Sequence, residues 1–410
     1  MNLTPRTYSQ LKSKLRARYK RELKRIQKGL KSFPDRKITH WMNENADEVA
    51  EFSEVNWLFL SQVSELLFFI EQDPELGKFG FGEDEEFVFE RWNNSEFAND
   101  FLKRLNKGAT LGKASLQTSV NLDSHLVTFG NRHILKTDKK SKDYRIQTSL
   151  GEREKNKKIF SLLETNLLID GINIKLKTHS LKEMKEFSKR IEDALKLIKK
   201  YSPTSWERFS AFTSVIVPIK NEEFVSYSHQ DLPGYSMINM YHRDFVDLMD
   251  DLLHENGHHH LNYYLNLGHL IEEPVDAIYY SPWRRTLRPL RGIYHAYFTF
   301  FWAFKLFADI LKTIDPKTQT DFTKEQMDKI RFRAVEEYHM LNFAFDELKW
   351  AKKQGLIYDQ GFTLIEEQNN ELKKFKRNIA IWEKDLGKFK KEFTTLSKTL
   401  AKAKKDFTKN

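Results

Sequence analysis

Residues 254–258 read His254-Glu255-Asn256-Gly257-His258. On a helix, the four-residue spacing stacks both imidazoles on one face, where they can reach a single ion, and the Glu beside the first His is the general base of the simplest hydrolytic version of this motif. The chain contains no cysteine, so thiolate ligands, disulfides, iron–sulfur clusters and cysteine nucleophiles are excluded and any metal must be held by His, Asp or Glu. With 13 His in 410 residues, the string arises by chance on the order of a few times per hundred such chains. Its surroundings therefore decide its meaning.

Projected as a helix at roughly 100° per residue, Phe245, Met249, Leu252 and Tyr263 form one apolar face. His254 and His258 lie nearly opposite, with Leu261 and Leu265 beside them. Asp247 and Asp251 fall on the same side one or two turns earlier, placed to accept the second N–H of a ligand imidazole. His259, His260 and His269 point elsewhere and read as solvated or structural. A third ligand is needed. Glu272 and Glu273 follow closely, but Pro274 interrupts any helix there, and a Glu of a later helix, Glu336 or Glu337, is a further option. His295 comes after Ser281-Pro282-Trp283-Arg284-Arg285-Thr286-Leu287-Arg288-Pro289-Leu290-Arg291. Arginines this dense, flanked by Trp283 and two prolines, read as a rigid anion-binding loop entering the helix that carries His295.

The elements that must position these groups form a mainly helical α+β chain, with a small sheet leading into a zincin-like HExxH helix and long basic terminal helices. A basic helix with apolar positions from Leu11 to Phe33 is expected within residues 1–36. Residues 37–201 read as a helical region, with helices at 44–70, 85–107, 152–168 and 180–201, and a β-hairpin insertion at about 111–150. The metal-binding catalytic region spans 202–355, with short strands at 212–219, 223–228 and 237–241 before a helix at 243–266. Residues 362–410 are expected to form one heptad helix, since Leu372, Phe375, Ile379, Trp382, Leu386, Phe389, Phe393, Leu396, Leu400, Ala403 and Phe407 keep a and d spacing without a Pro. Its apolar face can pack on the body of the protein or form a homodimer.

The ordered set Ser226-Tyr227-Ser228, Leu232-Pro233-Gly234, His254-Glu255-Asn256-Gly257-His258, and Ser281-Pro282-Trp283-Arg284 with Arg288-Pro289, Gly292 and His295 resembles the HExxH-motif family of peptide-modification proteins. That family comprises iron(II)- and 2-oxoglutarate-dependent β-hydroxylases of ribosomally made precursor peptides. The resemblance covers roughly residues 210–310. It implies His254, His258 and His295 as iron ligands, Arg284 or Arg288 as partner of a 2-oxoglutarate carboxylate, Ser226 and Ser228 as further cofactor-binding residues, and Glu255 as an acid–base or supporting group. Thr286 and Ala296 depart from the family pattern, which often has an acidic residue and a Gly at those places. A three-imidazole iron site would leave open positions for a bidentate 2-oxo acid and O₂.

The competing reading is a zinc metallopeptidase, with Glu255 activating a zinc-bound water. A third is a non-enzymatic module whose basic ends bind nucleic acid or an acidic partner. Formal charge is +10 overall, with +10 in residues 1–36 and +8 in 371–410, which leaves the middle at −8. Aromatic residues at the heptad seam point to packing rather than base stacking, so nucleic acid is not the expected partner; the family resemblance implies a precursor peptide instead. No apolar run reaches the length of a membrane span, and a cytoplasmic protein is expected.

Overall fold

The computed structural model describes residues 5–31, 168–169, 172–173, 181–213, 215–219, 225–228, 235–239, 243–274, 276, 278–315, 318 and 320–407. The expected helices at 44–70, 85–107 and most of 152–168, and the hairpin at 111–150, lie outside these residues. The fold is α+β and mainly helical. In chain order the elements are α1 (Pro5–Leu30), β1 (Leu168–Ile169), β2 (Ile172–Asn173), α2 (Leu181–Tyr201), α3 (Pro203–Phe212), β3 (Val215–Ile219), β4 (Tyr227–Ser228), β5 (Tyr235–Asn239), α4 (Phe245–Leu265), β6 (Tyr279–Ser281), β7 (Thr286–Arg288), α5 (Leu290–Thr313), α6 (Lys324–Lys353), α7 (Asp359–Lys373), α8 (Lys376–Trp382) and α9 (Lys390–Phe407). Among the described residues, no helix is long and apolar enough to cross a membrane.

The chain divides into two compact units. One takes its described residues from Met1–Leu11, Arg190–Phe212 and His242–Asn410, the other from Lys12–Lys189 and Thr213–Tyr241. The second unit holds the sheet expected before the motif helix. Its strand order is β3-β5-β4, with β5 parallel to β3 and antiparallel to β4. Ser226 Oγ accepts the Asn239 backbone N–H at 3.0 Å and so ties the approach to β4 to the end of β5.

In the first unit, α4 begins at Asp244, whose carboxylate accepts the N–H groups of Val246 and Asp247 at 2.9 Å each and satisfies two of the helix's unpaired donors. Nearly every turn of α4 is buried, beyond the two apolar sides its sequence suggests. Gly257 explains how α5 packs so closely: a Cβ there would lie 3.1 Å from Thr299 Cα. Thr299 is one turn beyond His295 and bonds its carbonyl at 2.9 Å, so the close approach at Gly257 brings the His258 and His295 turns side by side. The α5 helix buries Ile293, Tyr294, Tyr297, Phe298, Phe301 and Phe304, which form the apolar centre between α4 and α6.

Two expectations are corrected. Residues 362–410 are not one heptad helix but α7, α8, a 3-10 turn at Gly387–Phe389 and α9. Gly387 takes φ 52°, the left-handed conformation that redirects the chain between α8 and α9. The apolar stripe persists across the breaks because each piece turns it to the same core. Leu372, Phe375, Ile379, Leu386, Leu396 and Ala403 are buried, Phe389 stacks on Phe332, and Phe407 stacks on Tyr280 at 5.4 Å. Much of the face offered for homodimerisation therefore packs on the chain's own body, with Phe407 still 37% exposed. The arginine loop is likewise a hairpin: Tyr279 pairs with Arg288 and Ser281 with Thr286, and Arg285, at φ 53°, closes the turn.

Candidate metal centre

His254 and His258 face each other across one turn of α4, with their Nε2 atoms 3.2 Å apart. Two metal–nitrogen bonds of about 2.1 Å meeting at about 100° span that separation, so the pair fits two cis positions of one ion. Without an ion the same distance suits one neutral ring donating to the other. His295 enters from the first turns of α5, its ring centroid 5.9 Å from that of His258, and its Nε2 is buried without a hydrogen-bond partner among the described residues. Among the described residues, no three His, Asp or Glu side chains stand ready as a metal-holding group. The donor set thus fits as a pair, with His295 adjacent rather than already closed around a common point.

All three rings are held neutral. Burial, with the charges of Arg333, Arg284 and Arg243 added, lowers the His254 pKa to about 3. Burial drives His258 well below the usual imidazole range, helped by His254 and His259, and His295 likewise, helped by His258 and Arg291. Each ring keeps some accessible surface, but His254 Nδ1 and His295 Nε2 lie inside the protein, so the dense surroundings dominate. Neutral imidazole is the form that binds metal.

The remaining expected residues divide. Glu255 is buried within α4, 3% exposed. Arg284 is exposed in the hairpin turn, close enough for its charge to act on His254, while Arg288 lies along Gly292 at the start of α5. Arg291 pairs with Glu273 at 3.0 Å. Ser226 and Ser228 belong to the other unit, where Ser228 Oγ is buried without a hydrogen-bond partner among the described residues. His259 and His260 are fully buried and His269 is exposed.

The expected acceptors for the ligand imidazoles are corrected. Asp251 is held by Arg243, with Nε to Oδ2 at 2.9 Å and Nη2 to Oδ1 at 2.6 Å, and Asp247 pairs with Lys329 at 2.7 Å. His254 Nδ1 has no hydrogen-bond partner among the described residues. The alternative third ligands are also committed elsewhere. Glu272 accepts from the Tyr358 hydroxyl, Glu273 pairs with Arg291, and Glu336 and Glu337 lie on Arg333 at 2.6 and 3.0 Å.

Two features escaped the sequence. Phe300 packs on His254 with ring centroids 4.3 Å apart, and Trp283 lies flat on Phe300 at 4.8 Å. Arg333 joins Asp250, one turn before His254, to Glu336 and Glu337. The spacing of Arg333 and Glu337 could have flagged an intrahelical ion pair, but nothing local announces Asp250 as its partner. No protein-family model matches the sequence, and no curated protein is similar to it. Any functional reading rests on the residues themselves.

Proposed function

We propose that the chain is an iron(II)- and 2-oxoglutarate-dependent hydroxylase acting on the β-carbon of a side chain in a ribosomally synthesised peptide. The observation that carries this reading is the facing pair of neutral imidazoles, His254 and His258, with Nε2 atoms 3.2 Å apart on an enclosed helix. The order of a small sheet followed by the motif helix, as in zincin-like metalloproteins, supports it. His254 and His258 would hold the ion and His295 would complete a facial set by closing toward His258. Bound iron would supply oxidising power from O₂ and the 2-oxo acid, with one oxygen atom ending in the peptide hydroxyl and the other in succinate as CO₂ leaves.

The chain's own residues bind and orient. Arg284, placed where its charge reaches His254, would take the distal carboxylate of 2-oxoglutarate as a bidentate fork. Arg288, laid along α5 at Gly292, is the weaker of the two arginine candidates. Ser226 and Ser228 remain proposed cofactor contacts on the resemblance alone. Glu255 would support the site rather than activate water. The zinc-peptidase alternative draws less support, because Glu272, Glu273, Glu336 and Glu337 all have other partners.

The test is metal content after anaerobic preparation, combined with succinate formation from 2-oxoglutarate in the presence of peptide. The expected product is heavier by one oxygen atom, with an uncut backbone. His254→Ala and His258→Ala should lose iron, whereas Glu255→Gln should keep iron and measurable succinate formation. Stoichiometric iron retained in both His variants would overturn the site. Zinc-supported peptide cleavage that vanishes in Glu255→Gln would establish the peptidase instead.

A further inference from the structure

We propose that an aromatic clamp, Trp283 and Phe300 anchored by Glu337, orients the His254 imidazole for metal binding, in place of the hydrogen-bonded acceptor that usually does so. This rests on the reading of His254 and His258 as metal ligands. A ligand His ordinarily donates its second ring N–H to a carboxylate or carbonyl, which fixes both tautomer and ring direction. His254 Nδ1 is buried with no such partner among the described residues, and Asp247 and Asp251 are turned to Lys329 and Arg243. The χ2 torsion of His is broad, so its Nε2 direction must come from packing.

That packing is continuous. Phe300, from α5, meets the His254 ring at 4.3 Å between centroids and 51° between planes. Trp283, from the hairpin turn, covers Phe300 at 4.8 Å and 9°. Trp283 Nε1 donates to Glu337 Oε2 at 2.8 Å, and Glu337 is fully buried on α6. Arg333 holds Glu337 at 3.0 Å and also pairs with Asp250, one turn ahead of His254 on α4. The chain of contacts therefore starts and ends on the motif helix, and each of its members is fixed by another element. Trp283 and Phe300 are positioning residues in this arrangement, since neither supplies a ligand atom.

The experiment titrates the intact chain with Co(II) alone and reads affinity from the visible absorption of the bound ion. Phe300→Leu should weaken Co(II) binding about 10–100-fold, the usual loss when a ligand's supporting group is removed. Trp283→Phe keeps a ring but loses the anchoring N–H, and should show a smaller loss in the same direction. It also keeps the test alive should Phe300→Leu not fold. Glu337→Gln retains an acceptor for the indole N–H and should bind Co(II) more tightly than Glu337→Leu. Phe304→Leu removes a ring from the same helix that packs on Tyr338 and Phe375 instead, and should leave affinity unchanged. Wild-type affinity in both Phe300→Leu and Trp283→Phe, or an equal loss in Phe304→Leu, would overturn the clamp. If wild type fails to bind Co(II), or binds it as well in His254→Ala, the metal reading itself fails and the clamp falls with it.

Discussion

A fully buried arginine and a partly buried one should respond to the same substitution with opposite signs. Arg208, on α3, is completely buried, and its Nε and Nη1 have no hydrogen-bond partner among the described residues. Its Nη2 reaches the Leu253 carbonyl only at 3.4 Å, and its Cζ sits 3.7 Å from the Trp302 ring centroid. Burial pushes its pKa well below the usual arginine value, with the Tyr8 hydroxyl acting the other way. Each dry, unbonded donor costs about 1–3 kcal/mol, while stacking on Trp302 returns about 2 kcal/mol. Methionine fills similar space without donors, so Arg208→Met should stabilise the fold by about 1–4 kcal/mol, the range found when buried ionic groups give way to hydrophobes. For a unit of this size that is about 2–4 °C in Tm per kcal/mol. Arg333 is the reverse case. Burial opposes its charge, but Asp250, Glu337 and Glu336 hold its pKa up, and Arg333→Met would strand those carboxylates. A loss of about 3–5 kcal/mol is expected. Urea unfolding followed by tryptophan fluorescence, compared at constant m-value, measures both changes. Destabilisation of Arg208→Met by about 2 kcal/mol or more would refute the reasoning, because a guanidinium missed that much must have an anionic partner.

Two stability tests address how the elements around the site are joined. At Gly361, a Cβ would overlap the Leu270 carbonyl, while the Gly361 carbonyl accepts from Tyr294 at 2.8 Å, so Gly361→Ala should cost about 1–3 kcal/mol or more, read as a fall in urea midpoint. Thr323 and Gln326 form a reciprocal capping box at the start of α6, with bonds of 3.2 and 2.8 Å. Thr323→Ala should lower stability by about 1 kcal/mol, and Thr323→Ser should recover most of it in the same assay.

The parts of the candidate site that were legible in the sequence are those whose geometry is local. The four-residue spacing of His254 and His258 dictates their shared face whatever surrounds them, and a helix beginning after Pro289 was enough to bring His295 into consideration. What the spacing could not reveal is which charge each Asp meets. Asp251 and Asp247 lie on the expected side of α4, yet their cations decide their role, and Lys329 reaches the start of that helix from 85 residues away. The arginine segment looked like a loop because strands of three residues are too short for alternation to show, and because its turn depends on Arg285 in a conformation that no residue type there announces.

The C-terminal segment shows the same limit from the other side. A heptad spacing reports which residues face an apolar surface, and it survives a break if the next piece faces that surface again. Residues 372–407 keep the spacing through two helix ends because α7, α8 and α9 dock on one body, with α6 supplying much of the contact. Periodicity therefore identifies the buried stripe correctly and the continuity of the helix wrongly. The candidate centre follows the same logic. Local spacing names the atoms able to hold an ion, whereas the orientation of the His254 ring depends on Phe300, Trp283 and Glu337, which come from three separate elements and meet only when α5, the hairpin and α6 pack together.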